Sequence, residues 1–117
     1  MSNGEEDLRS PNSVERARAQ MPGARAQAEL TRLRRVLCDP VRCAIIRALR
    51  AGPLSVEELA AVVERTPQGT SQHLRVLREL DVVEAERDGR VRRYRLCNGG
   101  LADRVEQATK MLEELAA

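Results

Sequence analysis

The stretch that decides the fold occupies residues 54–96 and reads LSVEELAAVVERTPQGTSQHLRVLRELDVVEAERDGRVRRYRL. Ser55 and Glu58 form a capping box, which predicts that a short helix begins here and runs over residues 55–63. After a tight turn, a second capping residue, Thr66, is followed by proline and opens another helix. Two short helices joined in this way predict a helix-turn-helix.

The second helix is predicted over residues 67–80 and has two chemically distinct faces. Its apolar seam contains Thr70, Leu74, Leu77 and Leu80. The opposite face carries Gln68, Ser71, Gln72 and Arg75. Because Gln pairs with adenine, Arg with guanine, and Ser with a base or a phosphate, this face suits duplex DNA. Thr66 and Gly69 complete the predicted contact set, since Gly69 allows close approach and the amides at the helix N-terminus suit a phosphate.

The hydrophobic periodicity of the sequence changes from helical to strand-like after this helix. Residues 82–87 and 91–96 are typical of strands, and the Asp88-Gly89 pair between them predicts a β-hairpin. Between residues 87 and 95 one acid stands against five arginines, which gives a local charge of +4. The five are Arg87, Arg90, Arg92, Arg93 and Arg95. Beside a helix-turn-helix this ribbon is expected to hold DNA phosphates, chiefly through Arg90 and Arg92. The alternative is a solvated strand with charges for solubility.

The N-terminal part of the chain is predicted to hold a tail and two helical stretches. Residues 1–12 are polar and acidic and are predicted to be a disordered tail, while residues 13–117 form one domain. Ser13 is expected to cap a first helical stretch, which Pro22 interrupts. The helical pattern resumes over residues 24–37.

Two further helices flank the central motif. Asp39 followed by proline predicts a helix that ends near Ala51, and a last helix is predicted over residues 101–116. Its apolar stripe is longer than a small domain needs, so we expect a homodimer in which the last helix meets the helix over residues 24–37. The predicted interface contains Leu30, Leu33, Leu37, Leu101, Val105, Ala108, Leu112 and Leu115. The alternative is packing of the stripe on the chain's own helices.

Four pieces of sequence, in unbroken order within residues 37–96, carry a family resemblance. They are Asp39-Pro40-Val41-Arg42, Leu54-Ser55-Val56-Glu57-Glu58-Leu59, Ser71-Gln72-His73-Leu74-Arg75-Val76-Leu77, and Asp88-Gly89-Arg90 with Tyr94-Arg95-Leu96. They resemble the ArsR/SmtB family of bacterial winged-helix repressors. The resemblance implies a mainly α fold with a β-hairpin wing, a homodimer built from the first and last helices, an imperfect palindrome in operator DNA, and release by an inducer. His73 is similar to the histidine of the family's recognition helix, and both a DNA contact and a structural hydrogen bond remain open for it.

The sequence departs from the family's usual sensor sites. Where many members carry paired cysteines, this chain has Ser55 and Glu57, and Asp103 is not followed by the histidine that other members use for zinc. Three cysteines remain, Cys38, Cys43 and Cys97. Their thiols are candidates for a soft metal or metalloid ion, or for a redox disulfide. Cys43 lies opposite the apolar face of its helix, which predicts exposure or an interface. The alternative is three unrelated small side chains.

The amino-acid composition limits the classes of function that this chain could have. The chain has 117 residues, three cysteines, one Tyr and neither Trp nor Phe. Stacking on single-stranded nucleic acid is therefore disfavoured, and no catalytic constellation points to an enzyme. The odd cysteine count, the polar N-terminus and the lack of a long apolar run predict a cytoplasmic protein that binds no membrane. We expect a sequence-specific DNA-binding repressor, released by a thiol-reactive inducer if it has one. The alternative is a winged-helix protein-interaction module that does not bind DNA.

Overall fold

The computed structural model describes residues 11–117. Its elements, in chain order, are α1 (Pro11–Ala19), α2 (Ala24–Leu37), α3 (Pro40–Leu49), β1 (Leu54–Ser55), α4 (Val56–Val63), α5 (Pro67–Glu79), β2 (Val83–Asp88), β3 (Val91–Leu96) and α6 (Gly100–Ala116). This order confirms the predicted mainly α fold with a β-hairpin wing. The contacts within the chain define two compact units, and the boundary between these units lies between Leu30 and Thr31.

Helix α1 begins earlier than the sequence predicted. The first ten residues of the predicted tail lie outside the described part of the chain, but Pro11 and Asn12 are helical. Proline suits the first turn of a helix because the N–H that it lacks would have no intrahelical partner. Ser13 therefore lies inside the helix, and its prediction as the cap was wrong. The predicted interruption at Pro22 is confirmed, because the next helix starts at Ala24.

The three predicted caps of the central helices are confirmed. At the start of α3, Asp39 Oδ1 accepts from the backbone N–H groups of Val41 (2.9 Å) and Arg42 (3.2 Å). Ser55 and Glu58 form the capping box of α4, with reciprocal hydrogen bonds of 3.2 and 2.9 Å. Thr66 caps α5 through its side-chain oxygen. These local contacts fix where each helix begins.

The wing is part of a three-stranded antiparallel sheet with the order β1-β3-β2. Strands β2 and β3 form the predicted hairpin, in which Val83 lies opposite Leu96. The sequence did not predict β1, because two residues are too few to show an alternating pattern. This short strand pairs Leu54 with Tyr94 and therefore joins the wing to the start of α4.

The core is aliphatic, apart from one tyrosine, as the composition predicts. Its fully buried side chains include Val36, Ile45, Leu59, Leu74, Leu77, Val82 and Val105. The Leu74 and Leu77 seam of α5 is thus buried on the other helices, which leaves the opposite face of α5 to solvent. No helix formed by residues 11–117 combines the length and apolar character that a bilayer span requires.

The apolar stripe of α6 is divided between two environments. Leu101 is 4% exposed and Val105 is fully buried, and both belong to the core of their own chain. These two residues were predicted to lie in a dimer interface, and here the alternative of packing within the chain applies. Farther along, Leu112 is 53% exposed and Leu115 is 81% exposed. The 17-residue helix is long enough to cover the core with its first turns and to leave an uncovered apolar face at its C-terminal end.

Candidate nucleic-acid interface

Helix α5 presents the predicted polar face to solvent. Thr70, Leu74 and Leu77 are fully buried. The exposed side chains opposite them are Gln68, Ser71, Gln72 and Arg75. Because the seam is fixed in the core, the exposed face has a defined orientation relative to the rest of the domain.

An open groove of about 450 Å³ lies between this face and the wing. It is lined by Gln68, Ser71, Gln72, Arg75, Arg78, Arg92 and Tyr94. The guanidinium of Arg92 lies 5.5 Å from the centroid of the Tyr94 ring, an arrangement in which the aromatic face attracts the cation. The sequence had not singled out Arg78 and Tyr94 as groove residues. Arg78 lies about one helical turn after Arg75, and this spacing was the sign that could have placed it on the same face.

The arginines of the wing fall into two groups. Arg95 pairs with Glu84 and with Glu86, and Arg93 pairs with Asp88 (3.2 Å). The predicted local charge of +4 counted only residues 87–95, so it omitted the acids that the hairpin register brings opposite these arginines. A second group has no acidic partner within residues 11–117, and all its members are exposed. These are Arg87, Arg90 and Arg92.

Arg93 also connects the wing to the helix-turn-helix. Its Nη1 donates to Glu58 Oε1 over 3.0 Å, and the same carboxylate oxygen accepts from the backbone N–H of Ser55. The Ser55 backbone hydrogen bond, with help from Arg93, lowers the pKa of the Glu58 carboxyl below its ordinary value. The capping box therefore has a second role, because it holds the wing through an ionised carboxylate.

The N-terminus of α5 is already capped within the chain. Thr66 Oγ1 accepts from the Gly69 N–H over 3.0 Å, so this amide is not free for a phosphate as the sequence suggested. A Cβ on residue 69 would lie 3.1 Å from Thr66 Oγ1, which explains why glycine suits the position. Thr66 and Gly69 thus shape the helix start, next to the exposed Gln68.

His73 makes an internal hydrogen bond. Its Nδ1 accepts from Arg42 Nε over 3.3 Å and lies 3.9 Å from Asp39 Oδ2. The structural alternative that the sequence left open is therefore present in the structure. Burial raises the pKa of Asp39, but the backbone N–H groups of Arg42 and Val41 and the nearby charges more than offset this, so the pKa is lowered.

The three cysteines occupy different surroundings. Cys38 is exposed, whereas the half-buried Cys43 donates weakly through Sγ to the carbonyl oxygens of Val36 and Leu37, at 3.7 Å each. Of the two predicted surroundings of Cys43, exposure was wrong, because its thiol contacts the end of α2, while an interface stays a prediction. Cys97 Sγ lies 3.7 Å from Glu84 Oε2.

The surroundings of Cys43 and Cys97 change the pKa values of their thiols. Burial raises the pKa of Cys43 and of Cys97, with nearby acidic groups adding to the effect, so both favour the neutral thiol. Within residues 11–117 no three side chains of Cys, His, Asp or Glu come together as metal ligands. A three-ligand site inside one chain does not fit these residues.

The helix-turn-helix, the groove and the wing define the class of winged helix-turn-helix proteins. Residues 37–86 match the family described as "Helix-turn-helix domain". The regulator NmtR of Mycobacterium tuberculosis is 34% identical over 92 residues, which cover 79% of this chain and 77% of NmtR. The regulator CmtR of Mycobacterium bovis is 41% identical over 76 residues, 65% of this chain and 64% of CmtR, so the match spans less than two thirds of that relative.

Among solved structures, the antimony-specific transcriptional repressor AntR is 29% identical, with a TM-score of 0.67 over 80% of this chain and 86% of AntR. The chain belongs to the ArsR/SmtB family of transcriptional regulators. This family and fold are those of DNA-binding regulators rather than of enzymes.

Proposed function

We propose that the protein is a sequence-specific transcriptional repressor that binds duplex operator DNA as a homodimer. The observation that carries this proposal is the groove in which the polar face of α5 lies beside Arg92 of the wing. Such a surface offers hydrogen-bonding groups for base edges and cations for phosphates at the same time.

The groove residues divide into two proposed roles. Gln72 and Arg75 lie on the exposed face of α5, and we assign them to base edges in the major groove. Arg90 and Arg92 lie on the wing without acidic partners among residues 11–117, and we assign them to phosphates. Arg87 is assigned to phosphates as well, because it lies opposite Arg92 in the hairpin and is also exposed.

A second copy of this chain is the proposed occupant of the uncovered face of α6. Met111, Leu112 and Leu115 are exposed large apolar side chains on the last turns of this helix. Leu30 and Leu33 of α2 remain the proposed counterpart, as the sequence suggested. A two-fold dimer would present two recognition helices to half-sites about 34–36 Å apart.

The test is binding to DNA from immediately upstream of the protein's own coding sequence. We expect a protected footprint, and an affinity that falls steeply with salt and exceeds the affinity for unrelated duplex DNA. Binding that is equally weak for both DNAs at all salt concentrations would support the alternative, a protein-interaction module. Sedimentation of the free protein and of the complex reports the proposed dimer.

A response to thiol-reactive inducers is a second, finer proposal, favoured by the similarity to an antimony-specific repressor. Cys38 is the exposed thiol, and Cys43 lies close enough to it for Cys38 to raise the Cys43 pKa. Because three ligands do not come together within residues 11–117, we propose a response through one or two thiols. In a redox version, two thiols form a disulfide and pass two electrons and two protons to a peroxide oxidant.

We test this response by measuring operator affinity with and without As(III), and with and without dilute peroxide. We expect release of wild-type protein and no release of a Cys38→Ser, Cys97→Ser double variant. A Cys43→Ser variant keeps a donor for the α2 carbonyls and shows whether Cys43 takes part: loss of release would make Cys43 one of the responding thiols, and retained release would exclude it. If wild type and double variant respond identically, the thiol proposal is wrong while the repressor proposal stands.

A further inference from the structure

Helix α5 is hydrogen-bonded at its C-terminal end to a side chain of α2. Arg32 Nη2 donates over 2.9 Å to the carbonyl oxygen of Leu80, the residue that caps α5. The same guanidinium lies 3.9 Å from the Asp81 carboxylate. Terminal carbonyls of a helix lack intrahelical donors and carry the negative end of the dipole, so a cation is well placed here.

A second connection reaches the middle of α5 through α3. Arg42 Nη1 donates to the carbonyl oxygen of Arg35 on α2 over 2.6 Å, while Arg42 Nε donates to His73 Nδ1 over 3.3 Å. One planar guanidinium thus spans two helices, with the fixed fork geometry that lysine lacks. The Arg42 backbone is itself fixed, because its N–H donates to the Asp39 cap.

These two connections add directional contacts to the apolar packing of α5. The close-packed Leu74 and Leu77 seam fixes which face of α5 is buried, but apolar contacts are not themselves directional. A hydrogen bond at each of two points along α5 is directional and fixes both its rotation and its axial position. The last turns of α2 are the common anchor of both.

We infer that Arg42 and Arg32 are positioning residues that hold the recognition helix in register with the last turns of α2. This inference rests on the proposed function, because the register matters through the bases that Gln72 and Arg75 meet. Neither arginine lines the groove beside the wing. Their effect on sequence discrimination is therefore indirect, through the orientation of α5.

The chain contains a single histidine, which makes His73 an unambiguous reporter of the Arg42 connection. In ¹⁵N-detected spectra of the full chain at pH 8, the wild-type Nδ1 resonance should be that of a hydrogen-bonded acceptor. In Arg42→Met it should move to the position of a free acceptor. In Arg34→Met, which removes an equal charge from an exposed position on α2, it should stay unchanged. An unmoved Nδ1 resonance in Arg42→Met would overturn the inference.

Binding completes the test. For Arg42→Met and for Arg32→Met we expect about tenfold weaker operator binding, the usual scale for losing a charged hydrogen bond, and an unchanged affinity for unrelated duplex DNA. The salt slope should stay at the wild-type value, because neither arginine holds a phosphate. Equal weakening on both DNAs, or operator affinity equal to that of Arg34→Met, would overturn the positioning role. Wild-type protein that does not discriminate the operator would instead refute the proposed function.

Discussion

Replacement of Arg92 by alanine should reduce the salt dependence of DNA binding, whereas replacement of Arg95 should not. Arg92 is exposed, lines the groove and has no acidic partner within residues 11–117, so its charge is available to a phosphate. Arg95 is on the same strand but on the opposite face of the sheet, and it is paired with Glu84 and Glu86.

The magnitude follows from counterion release. Each phosphate contact contributes about 0.9 to the slope of log affinity against log salt. Loss of the Arg92 contact should therefore make the slope shallower by about 0.9, so that a fourfold rise in salt costs the variant about threefold less affinity than it costs wild type. Arg95→Ala should change the slope by less than about a third of that amount, although both variants lose the same formal charge.

Fluorescence anisotropy with a labelled operator duplex measures the salt slope of each variant. The titrations use four or more salt concentrations between about 50 and 200 mM, the range in which such slopes are measured. Circular dichroism verifies that each variant is folded. Equal changes of slope for the two variants would show that net charge alone matters. An unchanged slope in Arg92→Ala would show that the wing does not hold phosphates through this residue.

Other perturbations test other parts of the structure. Arg75→Ala should cost about 1–3 kcal/mol on the operator and relax base preference, which a panel of single-base operator variants measures. Val105→Ala should destabilise folding by about 2 kcal/mol in denaturant titrations, since it leaves a cavity in the core. Leu112→Asp leaves the core intact and should yield monomers on sedimentation, with a loss of stability limited to what association contributes. A dimeric Leu112→Asp protein would refute the proposed interface. The lowered pKa values of Asp39 and Glu58 stabilise the fold above the ordinary carboxyl pKa of about 4, and this contribution is lost as pH falls through the folded-state values. An Asp39→Asn, Glu58→Gln variant should therefore lose less stability than wild type as the pH falls from about 5 to about 2, a range that brackets the usual carboxyl pKa. Equal losses in the two proteins would show that these carboxylates do not stabilise the fold.

Much of the candidate site was predictable because its determinants are local. The caps at Asp39, Ser55 and Thr66 act on backbone groups two or three residues away, so their spacing is visible in the sequence. The two faces of α5 follow from helical periodicity in the same way. The Asp88-Gly89 turn likewise sets its own hairpin, because the glycine adopts a positive φ of 66°.

The remaining features depend on contacts between distant parts of the chain. Arg93 meets Glu58 across 35 residues, Arg42 meets His73 across 31, and Arg32 meets the Leu80 carbonyl across 48. No local pattern encodes such pairs, because each side chain has several acceptors that it could reach in other folds. For the same reason, the sequence window that gave the wing a charge of +4 did not show which arginines are paired.

The sequence by itself therefore determined the order of the helices and the hairpin, the caps of the three central helices, the exposed face of the recognition helix and the family resemblance, all of which follow from short-range chemistry. Only the tertiary structure decided that Val105 lies in the core while Leu112, on the same stripe, is exposed. Periodicity places both on one face of the helix, but burial depends on where the core ends along it. The tertiary structure also decided which wing arginines have no acidic partner among residues 11–117, because pairing depends on strand register and on helices that the folded chain brings alongside.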